Sequence, residues 1–299
     1  MKRIAIVSKR TPGSAEPYEK TFRQVYLYLK RKGKMVFVER QIAEVLKLKK
    51  YSEFTRGKTD VDLILVMGGD GTILSVVQRL SAKGGSASGR KKLNTRIFGI
   101  NTGTLGFMSE IPPVGITRTL NKIFDGQYSI DRRPMIEVQV WRGKAMIKKF
   151  HALNEAAITQ GELARLIRLR TTVNQRKLTT YHADGLIIAT PTGSTAYSLS
   201  AGGPIVYPSL NAFIITPICP HSFTQKPIVI PDSKIVEVVV EDNHRSINLT
   251  LDGQESFPLT HKDRIRIQKD GVVQFIRMPT ESFFSTLRSK LHWGKEAEG

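Results

Sequence analysis

The sequence predicts an α/β domain joined to an all-β one: an N-terminal Rossmann-like parallel-sheet domain, a C-terminal β-sandwich domain, and a C-terminal helix packing back. Three observations lead there. Up to Asp125-Gly126, short apolar runs alternate with stretches of helical periodicity; beyond it, short β-type runs follow one another and long helices disappear. Two glycine-rich loops each follow an apolar run: Val61-Asp-Leu-Ile-Leu-Val-Met-Gly-Gly-Asp-Gly-Thr72 and Asp184-Gly-Leu-Ile-Ile-Ala-Thr-Pro-Thr-Gly-Ser-Thr-Ala-Tyr197.

In chain order, residues 3 to 7 and 35 to 38 read as buried strands. Between them Tyr18, Phe22, Val25 and Leu29 recur at helical spacing, with Gly33 as the helix stop. The strand 61 to 67 enters the first glycine loop, and Ile73, Leu74, Val77 and Leu80 continue as a helix. Strand, loop and helix in that order imply a parallel sheet with ligands bound beyond the carboxyl ends of its strands, where Asp70 falls. Lys83 to Lys92 reads as a basic surface loop. The β runs after residue 126 are 134 to 140, 146 to 150, 153 to 159, 163 to 173, 185 to 190, 212 to 216, 235 to 240, 247 to 251, 263 to 268 and 272 to 278. The helical pattern returns in Phe283, Phe284, Leu287 and Leu291. The domains read as 1–128, 129–279 and the tail 280–299, with a boundary near Tyr128 to Pro134 and no internal repeat.

The 299 residues suffice for two cores, and no run approaches the ~18 apolar residues of a membrane span. Cys219 is the only cysteine, and no Cys/His cluster has zinc-ligand spacing, so the expectation is a cytoplasmic protein without a structural metal. The formal charge is +20, and residues 1 to 60 hold 16 Lys/Arg against 6 Asp/Glu, a net +10. Such a field draws polyanions in a salt-dependent way. Patches such as Lys30-Arg-Lys-Gly-Lys34 lack interleaved aromatics for stacking bases, so nucleic acid is expected only as a non-specific partner.

The chemistry lies in the loops. Gly68, Gly69 and Gly71 let the backbone turn sharply and approach a ligand, and Thr72 adds a hydroxyl. A carboxylate at Asp70 beside such a cradle can take a proton from an attacking hydroxyl, bind a metal that screens phosphate, or hold a sugar hydroxyl. All three point to phosphoryl transfer. Thr190-Pro-Thr-Gly-Ser-Thr-Ala-Tyr197 supplies hydroxyls and N–H groups suited to an anion or nucleoside, with Tyr197 as a stacking face. Asn154 and Glu155 interrupt the apolar run Ala152 to Ile158, where adjacent strand residues point to opposite faces, so at least one is expected to meet a partner or a ligand. Asp184 before Gly185 also suits a plain turn.

Together these segments resemble the NAD kinase family. The resemblance rests on Gly68-Gly-Asp-Gly-Thr72, Gly99-Ile-Asn-Thr-Gly-Thr-Leu-Gly-Phe107, Leu153-Asn-Glu155, Asp184 through Pro204, Pro217-Ile-Cys-Pro-His-Ser222, Leu251-Asp-Gly-Gln254 and Phe283 through Trp293. It implies transfer of the ATP γ-phosphoryl group to the 2′-hydroxyl of the adenosine ribose of NAD, with a divalent cation (Mg²⁺ or Mn²⁺) neutralising the triphosphate. Inorganic polyphosphate stays open as a donor. The resemblance also implies Asp70 as base or hydroxyl holder, Asn154 and Glu155 facing the adenosine half, and Asp184 on the nicotinamide side. Thr192, Thr195, Ala196, Tyr197, Ser198, Leu199 and Ser200 would line the nucleoside pocket, with Gln254 contributing from the Asp-Gly-Gln turn and Arg165 as a further binding residue. His182 stands where many bacterial relatives carry Arg, which bears on the preference between NAD and NADH. A homodimer or tetramer is expected from the resemblance alone.

Two rival readings share part of these features. A soluble lipid kinase of the diacylglycerol type would carry the same first loop and use the basic surface on anionic membranes. The polar pair Asn154-Glu155 and the second loop favour a dinucleotide acceptor instead. A basic, non-catalytic nucleic-acid binder would account for the charge and leave both loops unexplained.

Overall fold

The computed structural model describes residues 1–8, 16–55, 59–81, 95–101, 106–109, 114–161, 166–242, 246–279 and 282–291. Lys83 to Lys92 and Arg165 lie outside the described residues. The chain divides into two compact units, Met1–Arg132 with Val273–Gly299, and Arg133–Val272.

In the first unit the elements are β1 (Arg3–Ser8), α1 (Glu16–Arg31), β2 (Met35–Val38), α2 (Arg40–Val45), β3 (Ser52–Glu53), β4 (Leu63–Met67), α3 (Asp70–Ser81), β5 (Arg96–Ile100) and α4 (Ile116–Phe124). Strands β3, β2, β1, β4 and β5 lie side by side in that order, all parallel. Every residue of β4 is buried, as a sheet with covered faces demands, which is why Leu63-Ile-Leu-Val-Met67 has no polar alternation. Phe22, Val25 and Leu29 of α1 join Ile4, Leu65 and Phe98 in one core. Helix α1 stops at Gly33, left-handed at φ 67°, while the Lys34 N–H donates back to the Leu29 carbonyl (3.1 Å).

The second unit is built from β6 (Ser129–Arg142), β7 (Ala145–Ala152), β8 (Glu155–Gln160), β9 (Ile167–Val173), β10 (Arg176–Ala183), β11 (Gly185–Ala189), the single turn α5 (Tyr197–Ser200), β12 (Ala212–Ile218), β13 (Ile228–Pro231), β14 (Val236–Val240), β15 (Ile247–Leu251), β16 (Glu255–Leu259) and β17 (Arg264–Arg277). One antiparallel sheet runs β13-β12-β11-β8-β15-β16; the other runs β10-β9-β14-β17, with β6 pairing β17 and β7. Ile136, Leu169, Val238 and Ile265 from the second interdigitate with Ile158, Leu186, Phe213 and Leu249 from the first, a sandwich core. β17 begins in this unit against β14 and ends in the first, where Gln274 and Phe275 pair with Arg96 and Ile97 of β5. α6 (Phe283–Leu291) follows it.

Several elements depart from the sequence expectation. Asn154 lies in a bend before β8 and not in a strand over 153 to 159, so the opposite-faces argument fails and both Asn154 and Glu155 are buried. β10 was not expected: it is an edge strand whose Arg176, Lys177 and His182 face solvent, leaving little apolar pattern to read. β5, α4, β13 and β16 were not expected either, nor were the short α2 and β3, which are too brief to show a period.

Phe98 is completely buried in the parallel-sheet core. Phe98→Ala is expected to destabilise the fold by about 3–5 kcal/mol. Urea unfolding followed by far-UV circular dichroism measures it, and an unchanged midpoint would contradict the packing described.

Candidate active site

The first cluster forms where β4 ends. Gly68 donates its N–H to the Ile100 carbonyl (2.9 Å), tying the turn to the neighbouring strand, and α3 starts at Asp70. A Cβ at Gly68 would sit 2.4 Å from Thr72 Oγ1, so the turn admits only glycine there, whereas Gly69 has open space. Gly71 and the buried Thr72 complete the first turn of α3, whose N–H groups suit an anion.

Asp70 is held by backbone. Its Oδ2 accepts the Phe107 N–H at 2.8 Å and its Oδ1 the Met108 N–H at 3.2 Å. Gly106 packs against the carboxylate so closely that a Cβ there would lie 1.9 Å from Oδ1. Ser109 Oγ accepts the Gly106 N–H (3.1 Å), and Arg277 Nη2 donates to the Phe107 carbonyl (3.0 Å) while its Nε donates to Asp131 (3.0 Å). The carboxylate is oriented by two donors and keeps lone pairs for a proton or a cation.

The second cluster is organised by Asp252. The turn at Asp252 and Gly253 is left-handed at both residues, φ 52° and 63°, the conformation a tight hairpin between β15 and β16 requires. It aims the Asp252 carboxylate at three consecutive N–H groups, those of Leu153 (2.8 Å), Asn154 (2.7 Å) and Glu155 (3.1 Å). The Asn154 carbonyl in turn accepts the Thr190 N–H (2.8 Å), and Thr190 Oγ1 donates to the Leu153 carbonyl (2.6 Å). Gly193 passes so near that a Cβ would lie 2.3 Å from the Asn154 carbonyl oxygen.

The bend thus carries two buried side-chain oxygens, Asn154 Oδ1 and Glu155 Oε2, that have no hydrogen-bond partner among the described residues. A buried polar atom without a protein partner calls for a water, an ion or a ligand to satisfy it. Burial, reinforced by the neighbouring Asp252, pushes the Glu155 carboxyl up to about 8. Burial likewise raises Asp252 to about 6, against the three N–H groups that favour its charged form.

Among the other expected residues, Thr192 is buried with its hydroxyl accepting from the buried Arg133 at 3.4 Å. Thr195 Oγ1 donates to the Thr192 carbonyl (3.3 Å), Ala196 and Leu199 are half-buried, Tyr197 and Ser200 are exposed, and Ser198 is buried with its hydroxyl shared with Thr216 (2.9 Å). Asp184 accepts from Gln160 Nε2 (3.0 Å), His182 is exposed on β10, and Gln254 is exposed in its turn. The structure gathers Asn154, Glu155 and the Thr192 loop. It does not bring His182 or Asp184 to them, because Asp184 and Thr190 flank opposite ends of β11, six residues or roughly 20 Å apart along an extended strand.

Sequence reasoning missed Asp252, Gly106, Arg133, Asp131 and Arg277 as parts of these clusters. The Asp-Gly pair in Leu251-Asp-Gly-Gln254 was the signal for the first and the motif Gly99 to Phe107 contained Gly106; the contacts of the others join residues far apart in the chain. It also missed Glu137, His151 and Asp270, whose ligand atoms lie within 4.8 Å of one another. A cation already serves that group, since Lys149 Nζ is 2.9 Å from Glu137, and this pairing holds Glu137 below its ordinary range despite burial.

Two outcomes are expected from this geometry. Gly106→Ala should displace the Asp70 carboxylate and lower turnover at least ~100-fold without unfolding the chain, measured by steady-state rate beside a melting curve. Unaltered turnover would refute the positioning role. For Glu155, the unfolded carboxyl ionises near the ordinary value of 4.5 and the folded one near 8, so its contribution to stability is complete below pH 4.5 and lost as pH rises through 8. Glu155→Gln escapes that loss and should overtake the parent in stability between pH 5 and 9 by on the order of 3 kcal/mol. A stability difference that does not move with pH would refute it.

The chain matches the ATP-NAD kinase N-terminal domain over residues 4–128 and the ATP-NAD kinase C-terminal domain over residues 153–277. An NAD kinase of Geotalea daltonii is 38% identical over 304 residues, covering 99% of this chain and 100% of the relative. One from a Thermoanaerobacter species is 41% identical over 246 residues, covering 81% and 83%. Among solved structures, yeast NADH kinase complexed with NADH superposes with a TM-score of 0.88 at 23% identity, covering 99% of this chain and 89% of that one, a likeness of fold. An NAD kinase from Archaeoglobus fulgidus in complex with ATP gives 0.72 at 28% identity, covering 97% and 98%. The glycine turn at Asp70, the Asn154-Glu155 bend and matches spanning both halves agree: the chain belongs to the NAD kinase family.

Proposed function

We propose that this protein transfers the γ-phosphoryl group of ATP to the 2′-hydroxyl of the adenosine ribose of NAD, producing NADP and ADP. The observation that carries this reading is the Asp70 carboxylate, oriented by the Phe107 and Met108 N–H groups beside the glycine turn. A ribose hydroxyl is a weak nucleophile at neutral pH. Asp70 accepts its proton as the O2′–Pγ bond forms and the bond from Pγ to the bridging oxygen of ADP breaks, so catalysis consists of alignment, proton acceptance and charge stabilisation.

The acceptor's adenosine half is assigned to the bend. Asn154 Oδ1 takes a donor of the nucleoside, while Glu155, neutral below about 8, offers an O–H as well as an acceptor. The Thr192 to Ser200 segment walls the pocket, with Tyr197, 43% exposed, as its stacking face. Asp184 and His182, at the other end of β11, serve the nicotinamide half, and a homo-oligomer lets a second chain offer them.

The residues present fit a divalent cation held chiefly by its substrate. Asp70 has a single carboxylate with free lone pairs, and Mg²⁺ commonly uses one or two carboxylates plus phosphate oxygens and water. When bound, Mg²⁺ or Mn²⁺ neutralises the triphosphate, and Asp70 is the group that would hold it. A cytoplasmic location is part of this proposal.

The test is an endpoint assay with purified protein, ATP, Mg²⁺ and NAD, reading NADP with an NADP-specific dehydrogenase. Inorganic polyphosphate is run as an alternative donor. The parent is expected to form NADP, and Asp70→Asn to lose at least ~100-fold in kcat while melting at the parent temperature. Near-normal kcat in that variant would remove Asp70 from the chemistry.

A further inference from the structure

We propose that the outer face of the second unit carries a separate anion site, built to hold a chain of several phosphoryl groups. The two-residue period of three paired strands creates it. In β9, Leu169 and Thr171 point into the core, so Arg168 and Arg170 point out; in β14, Val238 and Val240 point in and Val239 out; in β17, Ile265 points in and Arg264 out. Val239 pairs with Arg170 on one side and Arg264 on the other, which lines the two arginines up across the sheet.

A pocket of about 580 Å³ lies over this row. Arg168, Arg170, Lys262 and Arg264 line it against one carboxylate, Glu241, with His261 beside them. The cations are oriented and not merely exposed. Glu241 lies 2.9 Å from Arg170 Nε and 3.9 Å from Arg168 Nη2, and Arg264 lies 3.6 Å from Glu237 with its guanidinium 5.5 Å from the Trp141 ring centre. The backbone frame is closed by Glu241 N–H to the Arg168 carbonyl (2.9 Å) and Lys262 N–H to the Val240 carbonyl (2.8 Å). Lys262 has no ion-pair partner among the described residues, and neither has the shielded Nδ1 of His261 a hydrogen-bond partner.

Planar guanidinium forks at fixed spacing match phosphoryl oxygens, two per group, and four cations line the pocket against Glu241, with Glu237 on Arg264 and Asp242 on the Arg168 N–H at its edge. No Phe, Tyr or Trp ring lines the pocket, so it recognises phosphates and not a base. These residues belong to neither cluster described above, and the inference does not rest on the kinase reading.

Calorimetric titration of the full chain with tripolyphosphate at low ionic strength tests it, with orthophosphate as a second titrant. Arg168→Gln and Lys262→Gln are each expected to weaken tripolyphosphate binding at least ~5-fold, since each removes a charge-assisted bond. Both should melt with the parent. Arg23→Gln on α1, which removes an exposed charge outside the pocket, should leave the affinity unchanged. Equal affinity in the parent and both pocket variants would overturn the proposal, as would an equal loss in Arg23→Gln or orthophosphate binding as tightly as tripolyphosphate. NADP formation is measured separately, so loss of one result leaves the other standing.

Discussion

A single buried carboxylate organises the bend that enters β8 in the second unit. Asp252 accepts three consecutive backbone N–H groups, those of Leu153 and Asn154 in the bend and of Glu155 at the start of β8, so these buried donors are met by a side chain. The bend then presents its own carbonyls outward to Thr190, and the second glycine loop packs on it through Gly193. Asp252 can do this only because Gly253 and Asp252 itself adopt left-handed backbone in the turn. A short hairpin thus dictates the shape of a loop nearly a hundred residues earlier in the chain.

The same economy appears at Asp70, with the roles reversed. There a side-chain carboxylate is held and the backbone of Phe107 and Met108 is the clamp. Arg277 reaches the Phe107 carbonyl from the end of β17 and is itself aligned by Asp131, so the clamp is anchored by the last strand to join the parallel sheet. Both sites favour backbone donors over side-chain partners. Backbone groups carry no rotamer freedom, so orientation costs little conformational entropy.

Charge is distributed by the same logic of faces. Within the sandwich, alternation sends apolar residues inward and places Arg168, Arg170 and Arg264 on one outer surface. Where a charge is buried, as at Glu137, a lysine and two amides surround it. Glu155 is the exception: it is buried beside another acid with an unmet oxygen, and burial keeps it neutral.

The sequence by itself determined the class of the two halves, the two glycine turns and the end of α1 at Gly33, and it singled out Asp70 and Asn154-Glu155 as polar residues set in a glycine turn and an apolar run. These are local properties: periodicity, glycine where a Cβ would collide, and polar residues in apolar runs each register within a few neighbouring positions. The tertiary structure alone decided that Asn154 sits in a bend, that Asp252 accepts the N–H groups of Leu153, Asn154 and Glu155 while Gln254 is exposed, that Gly106 and Arg277 pack around the Asp70 clamp, and that Asp184 stands at the far end of β11 from Thr190. Each of these depends on a hydrogen bond or a strand pairing between residues tens to more than a hundred positions apart. No local pattern encodes such a pairing, because the free energy that selects it comes from packing whole faces together.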